Sequence, residues 1–168
     1  RLADQRGRVR FYLIGTAVFT AGSLLCAASP NGAWLIGSRA LQGAAAAMLG
    51  ATAVAIVTAA FPPQERGRAL GINVAAVYLG LGVGPPLGGA LTDAFGWRSI
   101  FLVIVPIGAV VLAWGWRLLP RDERAESGPA RPDVAGAALL GGFLVGLLVP
   151  LTFGPQWGWL GARSVALL

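Results

Sequence analysis

Charge is absent from most of this chain, and where it is absent the residues are overwhelmingly apolar. After Arg10 the next charged residue is Arg39, the next is Glu65, and further uncharged stretches run over 69–92, 99–116 and 134–162. A helix needs about 20 apolar residues to cross some 30 Å of hydrocarbon. A window of that length predicts five spans: Phe11 to Ser29, Ala33 to Ala60, Ala69 to Leu91, Ser99 to Trp116, and Val134 to Phe153. The closing SVALL reads as the start of a sixth. Between the blocks stand SPNG at 29–32, FPPQERGR at 61–68, TDAFGW at 92–97, PRDERAESGPARPD at 120–133 and GPQWGW at 154–159, all with turn or breaker chemistry and none large enough to fold alone.

Composition fixes the solvent. With 56% hydrophobic and 12% charged residues and a mean hydropathy of +0.71, the chain is more apolar than a soluble domain of 168 residues can bury, so it is read as an all-α membrane protein. The net charge of +6 comes from thirteen arginines with no lysine or histidine. Their positions speak for topology. Ten of them (Arg1, Arg6, Arg8, Arg10, Arg66, Arg68, Arg117, Arg121, Arg124 and Arg131) fall in alternate connections, which marks that side as cytoplasmic. Arg98 and Arg163 fall on the other side, together with Trp34, Trp97, Trp157 and Trp159, whose amphipathic indoles favour the interface. A nucleic-acid partner would require clustered basic residues on a solvated fold, and none is expected. The single cysteine, Cys26, lies in an apolar block and excludes an internal disulfide or cysteine metal cluster. The chain opens without an initiator methionine and stops inside an apparent helix, so it reads as part of a longer protein. Its arginine- and alanine-rich, lysine-free composition points to a GC-rich bacterial genome.

Three short stretches carry more than span chemistry. GLGVGPPLGG, residues 80–89, sets Gly80, Gly84 and Gly88 four residues apart, a ridge-free stripe on one helix face, with Pro85 and Pro86 expected to bend or loosen that helix. Taken alone, the stripe is a small-residue packing face of the kind that brings helices together in lipid. Arg39 lies six positions inside Ala33, about 9 Å along a helix, where a guanidinium must find carboxylates, carbonyls or water, or else snorkel back to the interface. Gln42, three residues on, shares its face and is placed to hydrogen-bond with it or with a substrate. RLADQRGRVRFYLIG puts Asp4, Arg6, Gly7, Arg8 and Arg10 immediately before a span, with glycine permitting a tight reversal; the plain reading is a basic loop obeying the orientation rule.

These stretches, in this order, resemble the major facilitator superfamily. The first is similar to that family's loop between helices two and three, GxLaDrxGrr, through Leu2, Ala3, Asp4, Gly7 and Arg8. LIGSRALQGAAAAML, residues 35–49, looks like its fourth-helix motif lxxxRxxqGxgaa, with Arg39, Gln42 and Gly43 in register. GLGVGPPLGG matches the fifth-helix pattern GxxxGPxxGG associated with antiporters. WRSIFLVIVPIG, residues 97–108, is similar to the WRWIFxINvPIG segment of fourteen-helix drug:proton antiporters, with Ser99 in place of a tryptophan and Ile104 in place of an asparagine. PDVAGAALL, residues 132–140, followed by GPQWGW, resembles the start of the seventh helix in that branch.

The resemblance implies a facilitator-type helical bundle, incomplete here. Residues 1–119 would be part of the N-terminal half (helices three to six), 120–133 a cytoplasmic linker, and 134–168 helix seven and the start of helix eight. It implies a monomeric multi-pass carrier in a bacterial cell membrane, exchanging a small, largely apolar compound for protons by alternating access, with no cofactor and no metal. Arg39, Gln42 and Gly43 would serve proton coupling and the substrate path, Arg39 by tuning a nearby carboxylate. Gly80, Gly84, Pro85, Gly88 and Gly89 would form the antiporter motif, lying against the neighbouring domain and sealing the outer side, and Asp4, Gly7 and Arg8 a cytoplasmic gating loop. No aspartate or glutamate falls within the five spans, so a proton-binding carboxylate belongs to helices outside this chain.

Other classes remain open to different degrees. A membrane enzyme needs a nucleophile with its base or a metal site, for which a chain with no histidine and one cysteine is poorly equipped. A non-transporting packing subunit explains the glycines but not Arg39 or Asp4. A facilitator-fold symporter or uniporter is opposed by the fifth-helix motif alone.

Overall fold

The computed structural model describes residues 7–119 and 133–157. Among the described residues there are five helices and no strand: α1 (Arg8–Ala27), α2 (Gly32–Ala60), α3 (Arg66–Phe95), α4 (Ser99–Leu118) and α5 (Val134–Trp157). Each is long and apolar enough to cross a membrane. In hydrocarbon no water satisfies the backbone N–H and C=O groups, and a helix satisfies its own. The five predicted spans are all present. The start of a sixth, at SVALL, lies outside the described residues.

The ends differ from the hydropathy limits in an instructive way. α3 takes in Arg66–Arg68 and Thr92–Phe95, which the sequence reading assigns to connections, because a helix does not stop where the solvent becomes polar. It stops at Gly96, whose φ of 80° is left-handed backbone that favours glycine, and whose N–H closes on the Thr92 carbonyl at 2.8 Å. Asp93 is therefore in the last turn of α3 rather than beyond it. α5 likewise runs through Gly154–Trp157, four residues of the expected GPQWGW connection, with Pro150 and Pro155 inside it. α3 is also helical throughout across Pro85 and Pro86. Side chains set two helix starts: Asn31 accepts from the Trp34 N–H at 2.9 Å to cap α2, and Asp133 accepts from the Gly136 N–H at 2.8 Å to cap α5.

α1 to α4 belong to one compact unit and α5 to another. In the first, α1 is the central element, packed along α2 and along α4, while α3 touches α2 and α4 more sparsely and buries no residue. The α1 core is small: Gly15, Thr16, Thr20, Gly22, Ser23, Cys26 and Ala27 are its buried residues. Small side chains let backbones approach, which is how helices associate in lipid without a hydrophobic drive between them. Among the described glycines the closest approach is at Gly108 of α4, which lies directly against the side chain of Thr20. Bulky apolar residues such as Ile36, Tyr78, Phe95 and Trp116 point outward.

The α1–α2 and α3–α4 turns share one end of the bundle, since Arg98 Nη2 donates to the Ser29 carbonyl at 2.8 Å. This agrees with alternate connections lying on one side, the outer side by the arginine distribution. The α1–α2 turn is closed further by Trp34, whose indole N–H donates to the Leu25 carbonyl at 3.3 Å.

Candidate functional site

The candidate site grows from α2. Its helical spacing puts Arg39 and Gln42 on one face, and the two meet: Arg39 Nη1 donates to Gln42 Oε1 at 2.9 Å. Gln42 is 2% exposed, and its amide nitrogen donates across to Ser23 Oγ on α1 at 2.7 Å. Ser23 in turn donates to the Phe19 carbonyl at 2.9 Å. Guanidinium, amide and hydroxyl thus form one directed chain of donors ending on the backbone of α1. Because the Gln42 amide uses oxygen for Arg39 and nitrogen for Ser23, its orientation is fixed. An amide and a carbonyl terminus hold this chain as a positioning device rather than a proton wire.

On its other side the guanidinium lies over an aromatic ring. Arg39 Cζ is 4.6 Å from the ring centroid of Phe101, a residue in the first turn of α4 that is 4% exposed. The negative face of the ring attracts the cation. Phe101 meets Trp97 edge-on, with centroids 6.1 Å apart and planes at 90°, and Arg98 sits over the Trp97 ring at 4.6 Å. Arg39 itself is exposed at the protein surface, so its charge is held by one amide and one ring and open on the remaining side. The chain has no histidine, and the acidic residues among the described ones are Glu65, Asp93 and Asp133, none of them in the middle of a span.

The remaining sequence-singled residues fall elsewhere. Gly43 follows Gln42 but faces open space, and a Cβ there would meet nothing within 4 Å. Gly80, Gly84, Gly88 and Gly89 are equally open, and Pro85 is exposed, so the stripe on α3 packs against nothing within the described residues. Gly7 caps α1 with a φ of 96°, the tight reversal expected of a glycine there, and Arg8 begins the helix. Asp4 lies outside the described residues.

Sequence reasoning missed Ser23 and Phe101. Ser23 carried a signal, because Thr16, Thr20 and Ser23 recur at helical spacing and mark a polar stripe on α1. Phe101 had none beyond its place two residues after the WRS turn, since its partnership with Arg39 depends on how α4 registers against α2.

Comparison with known proteins places the whole chain. The family model described as Major Facilitator Superfamily matches residues 1–168. The multidrug resistance protein Stp of Mycobacterium tuberculosis is 41% identical over 168 residues, covering 99% of this chain and 31% of that protein. The riboflavin transporter RibZ of Clostridioides difficile is 42% identical over 130 residues, 76% of this chain and 28% of the relative. A probable actinorhodin transporter of Streptomyces coelicolor is 38% identical over 165 residues, 95% of this chain and 28% of the relative. The chain thus spans under a third of the length of these relatives.

Proposed function

The chain belongs to the Major Facilitator Superfamily, and on that premise we propose that the protein it forms part of exports small, largely apolar compounds across the cell membrane in exchange for protons. The observation that carries this reading is Arg39: an exposed guanidinium within a membrane span, fixed by Gln42 and Phe101 and open on one side. A cation so placed lowers the pKa of a carboxylate brought near it and loses that influence when the carboxylate moves away. Alternating access supplies the movement, as two helix bundles rock about a site between them. Arg39 serves here as a fixed charge, and the titrating carboxylate is supplied by helices beyond this chain. Residues 1–119 serve as part of one bundle. The open stripe of Gly80, Gly84 and Gly88 is the surface that receives the opposing half closely enough to exclude water, and Asp4, Gly7 and Arg8 form the cytoplasmic gate. Relatives named for multidrug resistance and for actinorhodin transport support a small-molecule cargo.

The test is direction and driving force. Everted vesicles containing the intact protein, acidified inside, are expected to accumulate ethidium and to release it when nigericin collapses the pH gradient. Accumulation indifferent to that collapse would remove proton exchange from the account. The riboflavin transporter among the relatives favours a second reading, a carrier of another mode with a more polar cargo. Riboflavin uptake by right-side-out vesicles without any gradient would establish it.

A further inference from the structure

Arg39 is held by an element other than its own helix. The ring beneath it, Phe101, belongs to α4, is almost fully buried, and is itself braced: Trp97 meets it edge-on, Arg98 stacks on Trp97, and Arg98 Nη2 is tied to the Ser29 carbonyl in the α1–α2 turn. A continuous column in the order cation, ring, ring, cation therefore runs from Arg39 through Phe101 and Trp97 to Arg98 at the outer turns. Gln42, locked by Ser23, holds the guanidinium from one turn farther along α2. Among the described residues Gln42 is the one hydrogen-bond partner of Arg39, which leaves its other N–H groups for a group arriving from the rest of the protein.

We propose that Phe101 is a positioning residue for Arg39, its ring face fixing where the guanidinium sits and so how strongly that charge acts on the carboxylate it faces. This rests on the reading of Arg39 as the coupling residue. The attraction between a cation and a ring face operates at exposed positions such as that of Arg39 and strengthens where water is scarce. No competing charge on the packed helices takes over the task. On α1 the titratable or charged groups are Arg8, Arg10, Tyr12 and Cys26; α3 carries Arg66, Arg68, Tyr78 and the carboxylate Asp93; beside and on α4 are Arg98 and Arg117. None of these hydrogen-bonds or stacks with Arg39 among the described residues. Without the ring face, the guanidinium swings away from α4 toward its open side. A carboxylate that depended on it then keeps its proton to higher pH.

The test is the pH dependence of ethidium export by the intact protein in vesicles. Phe101→Leu keeps an apolar side chain of similar bulk and removes the ring. It is expected to raise the pH midpoint of export by roughly half a unit, the scale of one cation–ring attraction. Phe101→Tyr keeps the ring face and is expected to hold the parental midpoint. Trifluorinated phenylalanine at 101, with the ring shape kept and its negative face depleted, is expected to shift as leucine does, and it decides the matter if the leucine variant fails to reach the membrane. A parental midpoint in the leucine and fluorinated variants, whatever their rates, overturns the inference, as does a shift shared equally by tyrosine. Arg39→Ala separates the levels. If it retains proton-coupled export, the reading of Arg39 fails; if it loses coupling while the Phe101 variants keep the parental midpoint, only the role of Phe101 fails.

Discussion

Gly108 gives the sharpest test of how this bundle is held together. A Cβ built on Gly108 points straight into the Thr20 hydroxyl and comes within 3.0 Å of both Thr20 Cβ and Cγ2. Thr20 has little room to give way. It is 9% exposed, its hydroxyl donates to the Thr16 carbonyl at 2.8 Å, and its β-branch restricts χ1 on a helix. Gly108→Ala must therefore push α4 from α1 or turn Thr20 off its rotamer and out of its hydrogen bond. Overpacking of this kind costs about 1–3 kcal/mol, with about 1 kcal/mol more if the hydrogen bond is lost outright. Since 1.4 kcal/mol is a factor of ten, the folded population relative to unfolded should fall roughly five- to several-hundred-fold. The assay is a thermal or denaturant unfolding midpoint of the purified intact protein in detergent. Thr20→Ala removes the hydroxyl and the methyl that Gly108 faces, so adding it to Gly108→Ala should recover most of the loss, a coupling of about 1 kcal/mol or more in a double-mutant cycle. A Gly108→Ala protein as stable as its parent, or one that Thr20→Ala does not rescue, would refute the close α1–α4 approach.

Three further outcomes are expected. Gly84→Val should leave the protein at normal levels in the membrane, because Gly84 meets nothing in its own unit, yet eliminate export, while Gly84→Ala keeps part of it and Val83→Ala is mild; normal export by Gly84→Val would show a lipid-facing stripe. Asp4→Asn should slow export with insertion unchanged, and an unchanged rate would reduce that loop to a basic topology signal. Cysteines at the exposed positions Gln64 and Pro30 should react with an impermeant maleimide from the cytoplasmic and outer sides respectively, and labelling of both from one side would sink the orientation.

Much of this was legible in the sequence because the bilayer imposes a simple rule. Any apolar block of sufficient length becomes a helix, so α1 to α5 follow from counting. Hydropathy sees solvent rather than backbone, however, and α3 continues through Thr92–Phe95 until a left-handed glycine ends it, as α5 continues through Pro155. The Arg39–Gln42 bond was readable because a three-residue spacing is a property of one helix. Phe101 was not, and for Ser23 the polar stripe was visible but its partner was not, because contacts between helices depend on register and rotation that no local pattern encodes. The glycines show the same divide: the conspicuous stripe on α3 faces open space, while the tightest contact falls to Gly108, one glycine in an ordinary VPIG stretch.

Arg39 carries the central claim, and simultaneous recording of proton and ethidium fluxes in proteoliposomes of the Arg39→Ala protein tests it most directly. The account predicts that ethidium entry is no longer driven by a pH gradient and carries no matching proton flux, while ethidium exchange at equal pH on both sides continues near the parental rate, because removing the charge uncouples the proton without destroying the path. Gradient-driven export that survives with its proton flux intact, or exchange and coupling lost together, would contradict it.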